Sequence, residues 1–505
     1  MLVVIIMNRK FRILILFSII WLCVVCTSKS FENDTFYVIK LGDYIYHNGI
    51  DMLDHYSFIN NLSYTYPHWL YDLFLYLIYN TFGYFGVYIS NIIFFIILIF
   101  SFYYICLKMV KNEFISGFTS LILILILSSF VSARAQIISI TLFLWEFYFI
   151  NKLNNTGKKK YMFYLFIICI LLANIHATIW PMFFILFLPY LFEYILFNIR
   201  NKINISRDKI CKCIFSRIDI INNKNFKILI ITFIISLFLG VFSPSKICYT
   251  YVFKIMGGSS QLYIDEHLPL VIYKEPGFCL FFLLFVFIMI ISKLKIDISD
   301  LCMILGISFM AISSSRHLIF FYTIALLLIL KLFNRFIDSI EDKSFDILIR
   351  YICNKYVYVM LLLFISICSI YKFVDNKNES FVPSDEYPVG AIKYIKNNLD
   401  YKNIKMFNDY NYGSYLLFND IFVFIDSRSD LYMKQFNSNL KYDIFNDYIN
   451  IAYNYEDKFD YYGIEYVLEY RNSKLSLILY KDSNYQVLYS DEYFVLFKKG
   501  DIYET

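Results

Sequence analysis

The stretch FGVYISNIIFFIILIFSFYYICL, residues 85–107, runs for twenty-three positions without a charged residue. A helix rises 1.5 Å per residue, so this length reaches across the roughly 30 Å hydrocarbon core of a bilayer. Working outward from it, comparable runs recur at 11–27, 117–133, 137–151, 161–175, 177–197, 228–243, 277–292, 298–313, 317–333 and 356–371. Their spacing predicts eleven crossings. Residues 69–82 are apolar too, but the run is short and carries Asp72, which predicts a partly inserted or re-entrant helix. Counting that segment as a further span puts the range at about 11–13 helices by the same length criterion. With 59% hydrophobic residues, 17% charged and a mean hydropathy of +0.56, the chain lacks the polar surface a water-soluble protein of 505 residues needs. Past residue 376 no apolar run is long enough to cross. The expected organisation is therefore a mainly α polytopic membrane part, 1–375, with a long first outer loop at 28–68, and a small extracytoplasmic α/β domain, 376–505.

Charge sets the expected orientation. The stretch through Tyr371 carries 31 Lys/Arg against 20 Asp/Glu, and the remainder 15 against 21. Of those 31 cations, 24 fall at the N-terminus and in 108–116, 152–160, 198–227, 293–297 and 331–355, and seven fall in the intervening loops. Positive charge gathers on the cytoplasmic side, so the N-terminus is expected inside and the tail outside. The first apolar run follows Arg9, Lys10 and Arg12 and reads as an uncleaved signal anchor in a plasma membrane. A net +5 spread in this way gives no argument for nucleic-acid binding. The eleven cysteines, none beyond Cys368, imply no disulfide framework, and Cys211-Lys212-Cys213 lacks the second ligand pair a metal site needs.

The same topology puts all six histidines (His47, His55, His68, His176, His267 and His317) in outer loops or at outer span ends. Asp34, Asp54, Arg134, Gln136, Asn174, Asp265, Glu266 and Arg316 join them there. Polar groups at the membrane boundary are costly to keep, so their gathering at one level points to a polar cavity open to the outer face. The plainer reading is that acids and histidines occupy outer loops because Lys and Arg are confined to inner ones.

The first outer loop begins Asn33-Asp34-Thr35-Phe36-Tyr37 and passes Asp54-His55-Tyr56-Ser57 and Pro67-His68-Trp69-Leu70. Farther on come Arg134-Ala135-Gln136, Asn174-Ile175-His176-Ala177, Ser243-Pro244, Glu266 and Ser315-Arg316-His317. The tail carries Tyr387-Pro388-Val389-Gly390-Ala391, Phe407-Asn408-Asp409-Tyr410 and Phe424-Ile425-Asp426-Ser427-Arg428-Ser429-Asp430. In this order the set resembles bacterial integral-membrane proteins of the GT-C superfamily of glycosyltransferases, in a group of undefined specificity. The chain departs from that pattern where Ala135 replaces the usual Pro and His267 the usual aromatic residue.

The resemblance implies a sugar taken from a polyprenyl-phosphate donor, whose tail lies in the lipid bilayer, and passed to an acceptor approaching from outside. An inverting transfer needs a base for the acceptor hydroxyl and cations or donors for the departing phosphate. Loop position makes Asp34 the first candidate base, with an N-cap of the following helix as its alternative. Asp54 and Glu266 are further acidic candidates, for which a turn and a surface cluster are the alternatives. Arg134 and Arg316, whose forked guanidinium suits phosphate, are the candidate phosphate ligands, against the alternative of snorkelling to lipid headgroups. Asn174, His176 and His317 are candidate donors beside them. A divalent metal is possible but not indicated, because convergence of ligands is not visible in sequence.

In the tail, strand-like runs at 404–408, 421–425, 466–469, 485–490 and 493–498 alternate with helical stretches near 389–398, 412–417 and 436–453. Asp426 and Arg428 follow a buried strand, where α/β sheets often bind ligands, and also fit a turn with an internal ion pair. Two other classes compete with the transferase: a transporter or lipid flippase, for which no internal repeat is evident, and a non-catalytic membrane assembly protein.

Overall fold

A long apolar run in lipid has no water for its backbone polar groups, and a helix satisfies them within the segment. The computed structural model, described here for residues 9–203, 218–219, 225–244, 246–255, 263–292, 295–339, 355–376 and 379–500, is helical over the expected runs, one of them in pieces. These helices are α1 (Arg9–Cys26), α2 (Asn33–Asn48), α3 (Trp69–Val110), α4 (Glu113–Leu127), α5 (Gln136–Thr156), α6 (Lys159–Ile175), α7 (Leu188–Ile203), α8 (Phe226–Leu239), α9 (Pro276–Ser292), α10 (Ile298–Ser313), α11 (Leu318–Ser339) and α12 (Lys355–Asn376). Among the described residues, four stretches are long and apolar enough to cross a membrane: Trp69–Val110, Glu113–Phe130, Ala177–Ile199 and Ser315–Ile337. Five shorter apolar helices accompany them. Cys211 and Cys213 lie outside the described residues.

Two runs differ from expectation. The apolar run at 69–82 and the span after it form one helix, α3, broken by a kink at Gly83, whose φ of 62° a side chain rarely tolerates. The run at 177–197 is not one helix: a 3-10 turn at Ala177–Ile179 and a short helix at Met182–Ile185 precede α7. Pro181 and Pro189 lack the N–H that a continuous helix requires, and their rings crowd the preceding turn.

Two cores organise the chain. One gathers α1, α3 to α6 and α8 to α11 around residues such as Ile19, Phe102, Phe147, Phe183 and Phe321, each at most 1% exposed. The other combines the first loop with the tail: Phe36, Tyr66 and Leu75 share it with Phe407, Tyr412 and Val467. α2 crosses α3 at Gly42, where a Cβ would stand only 2.1 Å from the Asp72 carbonyl oxygen. The tail carries α13 (Val389–Asn398), α14 (Tyr410–Phe418) and a four-stranded sheet. Its strands are β1 (Met406–Phe407), β2 (Tyr466–Tyr470), β3 (Tyr485–Ser490) and β4 (Phe494–Lys499), in the order β1-β2-β4-β3, with β1 parallel to β2 and the other pairs antiparallel.

The run at 421–425 is extended but pairs outside that sheet. Val423 N–H donates to the Tyr56 carbonyl (3.0 Å), and Phe58 N–H donates to Val423 (3.3 Å), so its partner is the first loop. The stretch 436–453 keeps a regular α-helix only at Ile444–Ile449. Further stitches join loop to tail: Ser63 N–H donates to Asn437 Oδ1 at 2.7 Å, and Tyr387 Oη donates to the Phe31 carbonyl at 2.8 Å.

Candidate functional site

Where the bundle, the first loop and the tail meet there is a cavity of ≈ 730 Å³. Among the residues expected to act together, Asp34, Arg134, His176, Glu266, Arg316, His317 and Arg428 line it, as do His68, Gln136, His267 and Asp430. Asp54, Asn174 and Asp426 are not in the lining.

α2 begins at Asn33 with Glu32 at its N-cap, so Asp34 sits inside the first turn and its carboxylate is free for tertiary contact. It meets Arg134, which lies in the bend before α5. The guanidinium stands against three carboxylates: Nε is 2.7 Å from Glu32 Oε2, Nη2 is 2.9 Å from Asp34 Oδ2, and Nη1 is 2.7 Å from Glu266 Oε1. Glu266 reaches it from the 3-10 turn Asp265–His267. The hydroxyls of Ser314 (2.9 Å) and Ser315 (3.2 Å) donate to the Glu266 carbonyl, fastening this turn to the next one at Ser315–His317.

The acids divide by environment. Burial pushes the Asp34 carboxyl above the ordinary range, and the neighbouring Arg134 only partly offsets it. Glu32 is likewise raised by burial against the pull of Arg134. At Glu266 burial is outweighed by Arg134 and Arg316 together, so its carboxyl is held below the usual range. A pair of carboxylates driven apart in this way gives one group kept as an anion and one able to take up a proton nearer neutral pH.

Arg134 thus has three carboxylates at ion-pair distance. Arg316 differs: its Nη1 donates to His267 Nε2 at 2.9 Å, and among the described residues no carboxylate stands within ion-pair distance of it. Of the two expected phosphate ligands, Arg316 is the one with charge to spare.

The histidines take defined tautomers. Ser139 Oγ spends its proton on the Ala135 carbonyl (2.9 Å), so at 3.0 Å it accepts from Nδ1–H of His176. His317 Nδ1 donates to the Met310 carbonyl at 3.1 Å. In neutral imidazole the other nitrogen is then a lone-pair acceptor, so Nε2 of both rings accepts. Burial, with His68, Arg316 and Arg134 nearby, holds His176 well below its usual pKa, and burial holds His68 at about 3. His68 stacks edge-on to His176 with ring centroids 4.7 Å apart. Neutral rings of this kind position neighbours and accept hydrogen bonds rather than protons.

Asn174 is used within the scaffold: Oδ1 accepts from Trp69 Nε1 at 3.0 Å, and Nδ2 donates to the Ile170 carbonyl at 2.8 Å, joining the end of α6 to the start of α3. Asp54 and Asp426 clasp Arg428. Nη1 of Arg428 is 2.7 Å from Asp54 Oδ1, while Nη2 and Nε reach the two oxygens of Asp426 at 2.7 and 2.9 Å, with each of the three side chains at most 1% exposed. Asp54 Oδ2 also accepts from Ser57 N–H at 2.8 Å. This buried triad locks loop to tail, and it holds Ser427 close enough to Asp34 for a hydrogen bond that favours the carboxylate.

Sequence reasoning passed over Glu32, Asp409 and Glu469. A lone acid inside the apolar strand Tyr466–Tyr470 was the available signal for Glu469, which is 5% exposed and lines the cavity with Asp409. Among the described residues no group of three or more His, Cys, Asp or Glu stands ready to hold a metal ion.

No family model matches the sequence, and no curated protein does. Solved structures do. The archaeal oligosaccharyltransferase AglB from Archaeoglobus fulgidus, in complex with an inhibitory peptide and a dolichol-phosphate, superposes with a TM-score of 0.57 at 10% identity, covering 92% of this chain and 69% of that one. The apo form of the oligosaccharyltransferase from that organism gives 0.57, 10%, 92% and 70%. The form tethered to an acceptor peptide containing the NVT sequon gives 0.57, 11%, 98% and 74%. At such low identity the likeness is one of architecture: what this chain shares with these oligosaccharyltransferases is the fold.

Proposed function

We propose that this chain is a membrane glycosyltransferase that moves a sugar from a polyprenyl-phosphate-linked donor to an acceptor at the outer face of a bacterial plasma membrane. The carrying observation is one cavity that joins a carboxyl of raised proton affinity, Asp34, to Arg316, an arginine with no carboxylate at ion-pair distance among the described residues, on a fold shared with a dolichol-phosphate-bound oligosaccharyltransferase. In this reading the N-terminus is cytoplasmic, residues 1–375 form the membrane part, and 376–505 close the cavity from outside.

The step is a displacement. Asp34 accepts the proton of the acceptor hydroxyl, whose oxygen bonds to the sugar's anomeric carbon as the bond from that carbon to the phosphate oxygen breaks. Polyprenyl phosphate leaves as an anion against Arg316, with Gln136 as a neutral donor nearby. Glu266 stays ionised and keeps Arg134 in place beside the base. An apolar wall of Phe143, Leu186, Ile307 and Ile324 adjoins the cavity and shares His317 and Phe320 with it.

The test is Asp34→Asn in purified protein in lipid, read as release of polyprenyl phosphate. Loss of a general base lowers rate by about 100- to 10,000-fold. Folded protein with the parental rate would remove Asp34 from the chemistry.

A further inference from the structure

β1 and β2 are parallel, with Met406 opposite Tyr466 and Phe407 opposite Val467. Continuing that register two residues past β1 brings Asp409 beside Glu469 on one face of the sheet. Both line the same cavity as Asp34, at its tail-domain end, with Tyr410, Phe445, Tyr448 and Lys474. Asp409 is already committed: Oδ1 caps α14 through Asn411 N–H (2.8 Å), and Oδ2 accepts from Tyr448 Oη (2.7 Å). Glu469 is not. Oε1 accepts from Tyr470 N–H at 2.9 Å, and among the described residues no hydrogen bond reaches Oε2, although the side chain is 5% exposed. A carboxyl oxygen that faces a cavity and meets no protein donor is a group that a ligand can complete.

The surroundings define that ligand. Tyr410 and Phe445 meet edge to face with ring centroids 5.8 Å apart, and Phe445 lies 6.3 Å from Tyr448, forming a continuous aromatic wall. Lys474 already supplies a cation at this end, its Nζ 3.5 Å from the Tyr453 ring centroid. The lining therefore mixes a carboxyl group, a cation, phenol hydroxyls and aromatic faces. A polyhydroxylated ring matches all four, since each hydroxyl both donates and accepts while the C–H faces rest on the rings.

We propose that this end of the cavity is a saccharide-binding subsite for the acceptor, with Glu469 Oε2 receiving its hydroxyls and Tyr448 and Phe445 supporting its ring. The proposal rests on the transferase reading for the word acceptor, but the binding site stands apart from it.

The experiment measures binding without turnover. Full-length protein in nanodiscs is titrated with maltotriose, cellotriose and chitotriose and followed by saturation-transfer NMR. At least one should bind, and Glu469→Gln should weaken it by about threefold or more, the loss of one carboxyl hydrogen bond. Tyr448→Phe, which keeps the ring and spares the strand, guards against a folding defect at Glu469 and should leave ring contact with reduced affinity. Absence of binding by all three sugars, or equal affinity in parent and Glu469→Gln, overturns the subsite. Sugar binding in a protein that releases no polyprenyl phosphate keeps the subsite and removes the transferase reading.

Discussion

Replacing Arg134 by Gln removes the guanidinium that, among the described residues, pairs with Asp34, while keeping a side chain that can donate a hydrogen bond. Its Nη2 stands 2.9 Å from Asp34 Oδ2. For charge centres near 4 Å and an effective dielectric of about 20, the lost attraction is about 4 kcal/mol, or roughly 3 pH units on the carboxyl. Both side chains are about a quarter open to solvent, at 24% and 21%, which screens the pair. Arg316 adds a second, weaker pull in the same direction and remains in place. The expected upward shift in Asp34 is therefore about one to two units. A base must be deprotonated to work, so raising its pKa carries the acid limb of the rate profile upward. Activity at neutral pH should fall by about tenfold or more and recover as the medium becomes alkaline. The assay is the pH dependence of polyprenyl-phosphate release by parent and Arg134→Gln protein in nanodiscs. A limb that stays within about 0.3 unit of the parental one would refute the counter-ion role. So would a loss that is equal at every pH.

Arg316→Lys keeps charge but loses the fork, and the missing charged hydrogen bond, about 1.5–3 kcal/mol, should weaken polyprenyl-phosphate binding roughly ten- to a hundredfold by calorimetry. Asp54→Asn leaves Arg428 held by Asp426 alone in a site at most 1% exposed, and should destabilise the loop–tail unit by about 3 kcal/mol, seen as a lower unfolding midpoint. Burial raises Asp430 from 3.8 to about 6, with Arg428 opposing, so the folded state binds its proton more tightly than the unfolded one. Its contribution is neutral below the unfolded value and turns destabilising as pH rises from 3.8 toward 6. Asp430→Asn should therefore stabilise the protein at neutral pH by up to about 3 kcal/mol, and little below pH 4. Equal midpoints for parent and variant at pH 7 would contradict this.

The helices were legible because lipid leaves the backbone one choice, and because apolar length is written residue by residue. Their breaks were legible only in part. Gly83 and Pro189 were plain in the sequence, yet whether a glycine kinks a helix or ends it depends on what packs across it. The tail's strands at Tyr466–Tyr470 and Phe494–Lys499 followed from apolar runs, whereas the run at 421–425 gave no sign that its partner was Tyr56, some 370 residues earlier. At the site, residue type located Asp34, Arg134, Glu266 and Arg316 at one level. It did not distribute their contacts. That Arg134 stands against three carboxylates while Arg316, among the described residues, meets an imidazole and no carboxylate is a property of distances, and it reverses the weight two identical side chains carry.

That distribution has a consequence for how the two ends of the cavity cooperate. Asp34 belongs to the first loop, Arg134 and Arg316 to helix ends of the bundle, and Ser427 and Glu469 to the tail, so no single segment holds the site. What holds it is the clasp of Asp54 and Asp426 on Arg428, which lies outside the reactive region yet fixes the distance between loop and tail. Removing water from two carboxylates and an arginine is expensive, and an apolar filling of the same shape would often serve stability as well or better. A buried clasp of this kind is better explained by register. A guanidinium held by three hydrogen bonds to two carboxylates admits one docking geometry, and Ser427, its chain neighbour, is thereby held at Asp34. Loosening the clasp should accordingly slow transfer even where trisaccharide binding at Glu469 is unchanged, because the subsite lies wholly within the tail while the base does not.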